Sequence, residues 1–204
     1  MNTDHDLFCA SAEWAEHLAA EVIPWGLADL DLNGHTLELG GGFGASSAYL
    51  LDRCDRLTVL EADPKLAAAL AARFPGIDVL HADATAIPLP DASVDAVVCF
   101  TMLHHVSPQL AQDQLFSEAA RVLRPAGWFA GTDSLASDNL RGFHADDIYE
   151  PVDPATLPAR LRAAGFVETR ADLGDRKFRF RARRRTRGTV LTGQIRTEVS
   201  RHQG

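Results

Sequence analysis

Several things are scarce in this chain of 204 residues, and each scarcity excludes something. Its three cysteines, Cys9, Cys54 and Cys99, are odd in number and far apart. They form neither a disulfide framework nor a metal-ligand set, and such usage suits a reducing cytoplasm. No Cys/His cluster of metal-ligand spacing occurs, so no metal is expected. No apolar run approaches the roughly 20 residues a helix needs to cross a bilayer, so no membrane contact is expected. Met1 to Asp6 carries acids where a leader would carry cations, which predicts no signal peptide and a cytoplasmic location. Positive charge is also thin over most of the length. Residues 1–175 hold 27 acids against 10 Lys and Arg, whereas 176–204 hold 1 acid and 10 Lys and Arg. An acidic body argues against a large nucleic-acid surface. No internal repeat is visible. What is present is ordinary for a globular chain, 46% hydrophobic and 24% charged, with length for one sizeable α/β domain.

The most informative stretch is His35-Thr36-Leu37-Glu38-Leu39-Gly40-Gly41-Gly42-Phe43-Gly44, continuing into Ala45–Leu51. It reads as a buried strand, a glycine turn and a helix. Glycine accepts positive φ and lets a ligand come close to the backbone. The helix start behind it offers free N–H groups and a positive dipole end. Nucleotide sites in open α/β sheets are built this way. Gly40-x-Gly42-x-x-Ala45 satisfies the dinucleotide fingerprint, with Glu61 at a fitting distance at the end of the next strand. On the glycines alone, an NAD(P) oxidoreductase and an S-adenosylmethionine (SAM) enzyme both stay open.

Periodicity supplies the remaining elements. Residues 6–23 suit a helix with Leu7, Phe8, Trp14, Leu18 and Val22 on one stripe, ending at Pro24. That helix is expected either to cover the site as a lid or to pack on the sheet edge. Strands are predicted over 56–61, 77–81, 94–100 and 127–132, and helices over 65–74, 108–123 and 153–164. Asp63-Pro64 opens the first of these helices, Ser107-Pro108 caps the second, and Gly165 follows the third. Residues 133–152 read as an irregular polar insertion. Phe166–Leu173 and Lys177–Arg184 read as strands joined by a turn at Gly174-Asp175. Alternation of strand and helix predicts an α/β, Rossmann-like, doubly wound sheet of seven strands, mostly parallel, closed by an antiparallel C-terminal hairpin strand. The domain plan is a helical cap over 1–34, the main domain over 35–185, and a polar tail over 186–204 expected to be poorly ordered.

Taken together, residues 35–185 resemble a class I SAM-dependent methyltransferase, most like the small "type 11" group that acts on small molecules. The first motif is Glu38-Leu39-Gly40-Gly41-Gly42-Phe43-Gly44, an acid followed by a Gly-x-Gly-x-Gly turn. A dinucleotide fingerprint usually has an apolar residue where Glu38 stands. The resemblance implies that Glu38 accepts from the SAM ammonium and orders the turn made by Gly40, Gly41, Gly42 and Gly44. It implies that Glu61 takes the ribose hydroxyls, that Ala62 lies against the adenine ring, and that Asp83, or the backbone N–H of Ala84, reads the adenine edge. Strand 94–100 should pass the methionine part at Phe100, with Leu103-His104-His105 following as in many relatives. Glu118 to Gly127 resembles the family's turn into its fifth strand, with Ala126 where Gly is usual.

Methyl transfer from a sulfonium needs alignment first, and a general base only where the acceptor must lose a proton. His104 and His105 are the candidates for that base, with His144 in the insertion as a third. No Asn-Pro-Pro-Tyr motif is present, which argues against methylation of DNA bases. A SAM-binding partner protein without catalysis of its own is the competing reading. The cations at Arg176, Lys177, Arg179, Arg181, Arg183, Arg184, Arg185 and Arg187 alternate with Phe178, Phe180 and Ala182. That pattern suits a solvated edge strand. RNA, as for an RNA methyltransferase, or the acidic body of a second copy in a homodimer are the sharper readings of the same stretch.

Overall fold

The computed structural model describes residues 2–28 and 30–186. From residue 187 on, the predicted polar tail lies outside the described residues, as does Arg187.

Among the described residues, seven strands form one sheet: β1 (His35–Leu39), β2 (Arg56–Glu61), β3 (Asp78–His81), β4 (Val94–Phe100), β5 (Leu123–Ser134), β6 (Phe166–Leu173) and β7 (Lys177–Arg184). Their order across the sheet is β3-β2-β1-β4-β5-β7-β6. All neighbours are parallel except where β7 pairs antiparallel with β5 and with β6. The predicted seven-stranded, mostly parallel architecture is therefore the one found. The order reverses between β1 and β4, which leaves a crevice at their carboxyl ends where open α/β sheets bind ligands.

Helices cover both faces, so the central strands are buried on each side. On β4, Val97 and Cys99 join the core beneath α6 (Gln109–Val122) and α8 (Leu157–Ala163). Ala96, Val98 and Phe100 join the opposite core, beneath α2 (Ala12–His17), the π-helical turn Leu18–Val22, α3 (Ile23–Gly26), α4 (Ala45–Leu50) and α5 (Pro64–Arg73). This two-sided alternation is why β4 reads as an unbroken apolar run. At the centre of the first core, the Phe129 ring lies 5.0 Å from Phe180, 5.6 Å from Phe166 and 6.0 Å from Phe116.

Helix α5 begins as its sequence predicts. Asp63 accepts hydrogen bonds from the N–H groups of Lys65 and Leu66, and Pro64 takes the first position. Helix α6 departs in detail, because Ser107 makes no cap: Pro108 stands at the N-cap with no side-chain bond.

The N-terminal segment corrects two expectations. The helix predicted over 6–23 is broken: α1 (Thr3–Cys9) ends at Ala10, and Ser11 caps α2 by accepting from the Trp14 N–H. Pro24 does not end it. The preceding turn widens, with Ile23 N–H reaching Leu18 O, and Pro24 falls in the first turn of α3. A missing N–H is tolerated there because helix starts leave those donors unpaired anyway.

Strand β7 corrects a third. Its alternation is as expected, with Phe178, Phe180 and Ala182 buried. Yet it lies between β5 and β6 and is not an edge. Its cations are held locally: Arg179 pairs with Asp172 at 3.1 Å and donates to Trp25 O at 2.9 Å, and Arg183 lies over the Trp128 ring. Strand β5 starts earlier than predicted, at Leu123, because Leu123 pairs with Val94 across an irregularity. Ala126 in that segment takes φ +67°, a conformation glycine adopts more cheaply.

Candidate functional site

The glycine turn leaves β1 at the switch point. Gly40, Gly42 and Gly44 have φ of +74°, +52° and +81°, the left-handed region in which side chains are strained. A Cβ at Gly41 would lie 2.4 Å from Val59, so the turn packs directly on β2. Beside Gly42 there is open space, with nothing within 4 Å of the position a Cβ would take. The turn thus presents bare backbone to open space at the carboxyl ends of the strands.

Two buried carboxylates hold it in shape. Glu38, fully buried in β1, accepts from the Ser46 hydroxyl and, at 2.5 Å, from the Ser47 hydroxyl in the first turn of α4. Burial pushes its carboxyl up to about 7, against the lowering effect of the two hydroxyls. The sign follows directly. A folded-state pKa above the unfolded value of 4.5 gives stability that is complete below about 4.5 and is lost as pH rises through about 7. The wild-type melting temperature should therefore fall more than that of Glu38→Gln on going from about pH 5 to pH 8. Parallel scanning-calorimetry profiles would sink this assignment of the charge.

Glu61, at the carboxyl end of β2, accepts from Gly42 N–H at 2.8 Å and from Asp63 N–H at 2.9 Å. It ties the turn to the next strand, and each of its oxygens keeps a second lone pair. Ala62 beside it is exposed, with its carbonyl 3.2 Å from His81 Nε2. Asp83, exposed after β3, accepts from Thr85 N–H at 2.7 Å, and Ala84 is buried. Phe100 is buried at the end of β4, and the Met102 side chain packs against Gly40. All the residues singled out from the glycine motif and its acids therefore stand at the carboxyl ends of four adjacent strands. The exposed backbone at Gly42, the flanking carboxylates and the free lone pairs of Glu61 fit a nucleoside-bearing cofactor.

A second group lies along the same sheet edge, where a one-turn 3₁₀ helix, Leu103–His105, follows β4. Buried Gln112 of α6 pins it by donating to Leu103 O at 3.2 Å. Asp133, buried at the end of β5, accepts from His104 N–H at 3.1 Å and pairs with His104 Nδ1 at 2.5 Å. Burial works to lower the His104 pKa, but the charge and hydrogen bond of Asp133 together with the charge of Asp147 outweigh it, and the net shift is upward. The His105 ring lies tilted against that of His104, 4.2 Å between centroids. It is lowered to about 3 by burial and by the neighbouring His104, His5 and His144.

His144 caps the short helix α7 (Asp138–Phe143) within the insertion, which is thus less irregular than its sequence suggests. Helix α1 comes over the same edge: Asn2 donates to Phe143 O at 2.9 Å and to Ala145 O at 3.0 Å, and His5 pairs with Asp147 at 3.0 Å. The N-terminal segment thus both covers this edge, through α1, and packs on the sheet, through α3. The rings of His5, His105 and His144 converge, with one nitrogen of each within 4.8 Å of the others. The sequence offers no metal-ligand spacing because these three come from segments far apart along the chain.

Sequence reasoning missed His5, Asp133 and Asp147. For Asp133 a signal existed, since it is an acid at the carboxyl end of the strand beside the one carrying His104. For His5 and Asp147 there was none, as only the path of α1 brings them in.

Residues 37–131 match a family model described as a methyltransferase domain. The chain is 35% identical over 153 residues to a probable S-adenosylmethionine-dependent methyltransferase of Mycolicibacterium smegmatis, covering 72% of this chain and 57% of that protein. It is 31% identical over 152 residues to a probable ribosomal RNA small subunit methyltransferase A of Natronomonas pharaonis, covering 67% of this chain and 53% of that protein. The chain thus spans a little over half the length of these curated relatives. A Thermotoga maritima structure, described as a SAM-dependent methyltransferase and possible histamine N-methyltransferase, superposes with a TM-score of 0.69 at 17% identity. That likeness of fold extends over 91% of this chain and 100% of that one. Among the described residues, no helix is long and apolar enough to cross a membrane.

Proposed function

Because the chain belongs to the class I SAM-dependent methyltransferases of the type 11 group, we propose that it transfers a methyl group from SAM to an O, N or C nucleophile of a small molecule. The observation that carries this reading is the glycine turn with open space at Gly42, braced by Glu38 and Glu61 at the switch point of the sheet. Bound there, SAM supplies a methyl carbon already activated by a sulfonium. The chain's own residues would bind and orient. Glu61 offers its remaining lone pairs to the ribose hydroxyls. Asp83 and the N–H of Ala84 face the adenine side, with Ala62 against the ring. Gly40 and Phe100, at the ends of β1 and β4, flank the methionine side. Glu38 holds the turn through Ser46 and Ser47, and with its carboxylate buried behind the turn we read its part as shaping the site in place of the expected contact with the SAM ammonium.

His104 is the residue we place nearest the acceptor's proton, oriented by Asp133. Helices α1 and α7 cover this edge, which suits a small acceptor. An RNA acceptor is the second reading, favoured by the name of the Natronomonas pharaonis relative. Against it, Arg179 and Arg183 of β7 are engaged with Asp172, Trp25 and Trp128.

Calorimetry on the purified chain should give micromolar binding of SAM and S-adenosylhomocysteine (SAH) and none of NADH. A folded sample that binds neither SAM nor SAH overturns the reading. Labelled-methyl transfer to small-subunit ribosomal RNA, but to no small hydroxyl, amine or carbon acid, would move the conclusion to the second.

A further inference from the structure

The histidine group does more than cover the sheet edge. His5, His105 and His144 come from α1, the turn after β4 and the end of α7, and one ring nitrogen of each lies within 4.8 Å of the other two. Among the described residues this is the one group of three or more such side chains that converges so closely. Two of the rings are already set as ligands. His5 gives its Nδ1 to the Asp147 carboxylate at 3.0 Å, and His144 gives its Nδ1 to Leu140 O at 2.8 Å. Both partners can only accept, so the protons sit on Nδ1 and the lone pairs on Nε2. A carboxylate or carbonyl behind the imidazole is the usual support of a metal-bound histidine.

The independent sign is at His144. The residue is 4% exposed, and its Nε2 is buried without any hydrogen-bond partner. Such an acceptor is costly to leave unmatched. We propose that His5, His105 and His144 bind one divalent transition-metal ion of the zinc type, through three imidazole nitrogens and one open position.

Nitrogens around a tetrahedral ion at about 2.0–2.1 Å stand about 3.3 Å apart, so the three rings need only draw inward together. Imidazole ligands suit zinc, cobalt, nickel and copper rather than magnesium or calcium. Three protein ligands leave a fourth position for water or another oxygen or nitrogen donor. His105 is the half-buried member and gives the ion its way in.

The test uses the whole chain without a histidine tag, stripped with EDTA, then titrated with Zn²⁺ by calorimetry and with Co²⁺ by visible absorption. One equivalent of Zn²⁺ is expected, and Co²⁺ should show the intense d–d bands of four-coordinate cobalt. His144→Ala and His105→Ala should each weaken Zn²⁺ about a hundredfold or more, and Asp147→Asn about ten- to a hundredfold. His17→Ala, on α2 away from the group, should change nothing. No stoichiometric Zn²⁺ on the folded wild type overturns the site, as does unchanged affinity in both histidine variants. Six-coordinate cobalt bands on the wild type would do the same even if the variants fail to fold. SAH binding measured on the same samples reads the cofactor proposal separately, since the ion needs none of the glycine-turn residues.

Discussion

Truncating Phe129 to alanine should lower the melting temperature by roughly 6–20 °C. The ring is fully buried and lies against Phe116, Phe166 and Phe180, so one side chain links α6, β5, β6 and β7. Losing a buried phenylalanine costs about 3–5 kcal/mol, and each kcal/mol moves the midpoint of a chain this long by about 2–4 °C. Aromatic pairs add to the loss beyond burial. Phe129→Leu keeps most of the volume and should cost under about 1.5 kcal/mol. Thermal melts of the two variants check this. If the alanine variant melted within a degree or two of the wild type, the packing around β5 would not be the chain's main core.

Replacing Glu61 with glutamine should weaken SAH binding by about 10- to 150-fold, the equivalent of about 1.5–3 kcal/mol for a charge-assisted hydrogen bond. Glutamine is the informative change. Alanine would also release the N–H groups of Gly42 and Asp63, which Glu61 accepts, and so would confuse a slack turn with a lost ligand contact. The carboxamide keeps one acceptor oxygen, so the melting temperature should fall by only a few degrees. Calorimetry with SAH, beside a melt of the same sample, separates the two effects. Affinity equal to wild type would remove Glu61 from the ribose and leave it only the turn.

The sheet was legible because its signals are local. The extent of β2, β4, β6 and β7 follows from apolar runs and alternation bounded by turn residues, and the start of α5 from Asp63-Pro64. Pro24 misled because a proline stops a helix interior but not a helix start, and the widened turn before it made a new start there. The hairpin at Gly174-Asp175 was visible, but alternation says only that one face of β7 is buried. Which strands flank it depends on where β5 already lies. The acids Glu38, Glu61 and Asp83 could be found because each closes a strand or follows one, so chain order and spatial order coincide. The histidine group could not. His5, His105 and His144 share no periodicity and no spacing, and their meeting is a property of how α1 and α7 cross the sheet edge.

The position of β7 also sets an order of assembly. The strand that precedes it, β6, touches the sheet only through β7, and β5 has no partner on that side until β7 arrives. Among the described residues β7 is the last strand in chain order, so the first five strands can pair before it forms, and it then inserts between β5 and β6. A chain stopped at residue 176 would therefore lose two strands rather than one, leaving the edge of β5 bare and Phe129 without Phe180.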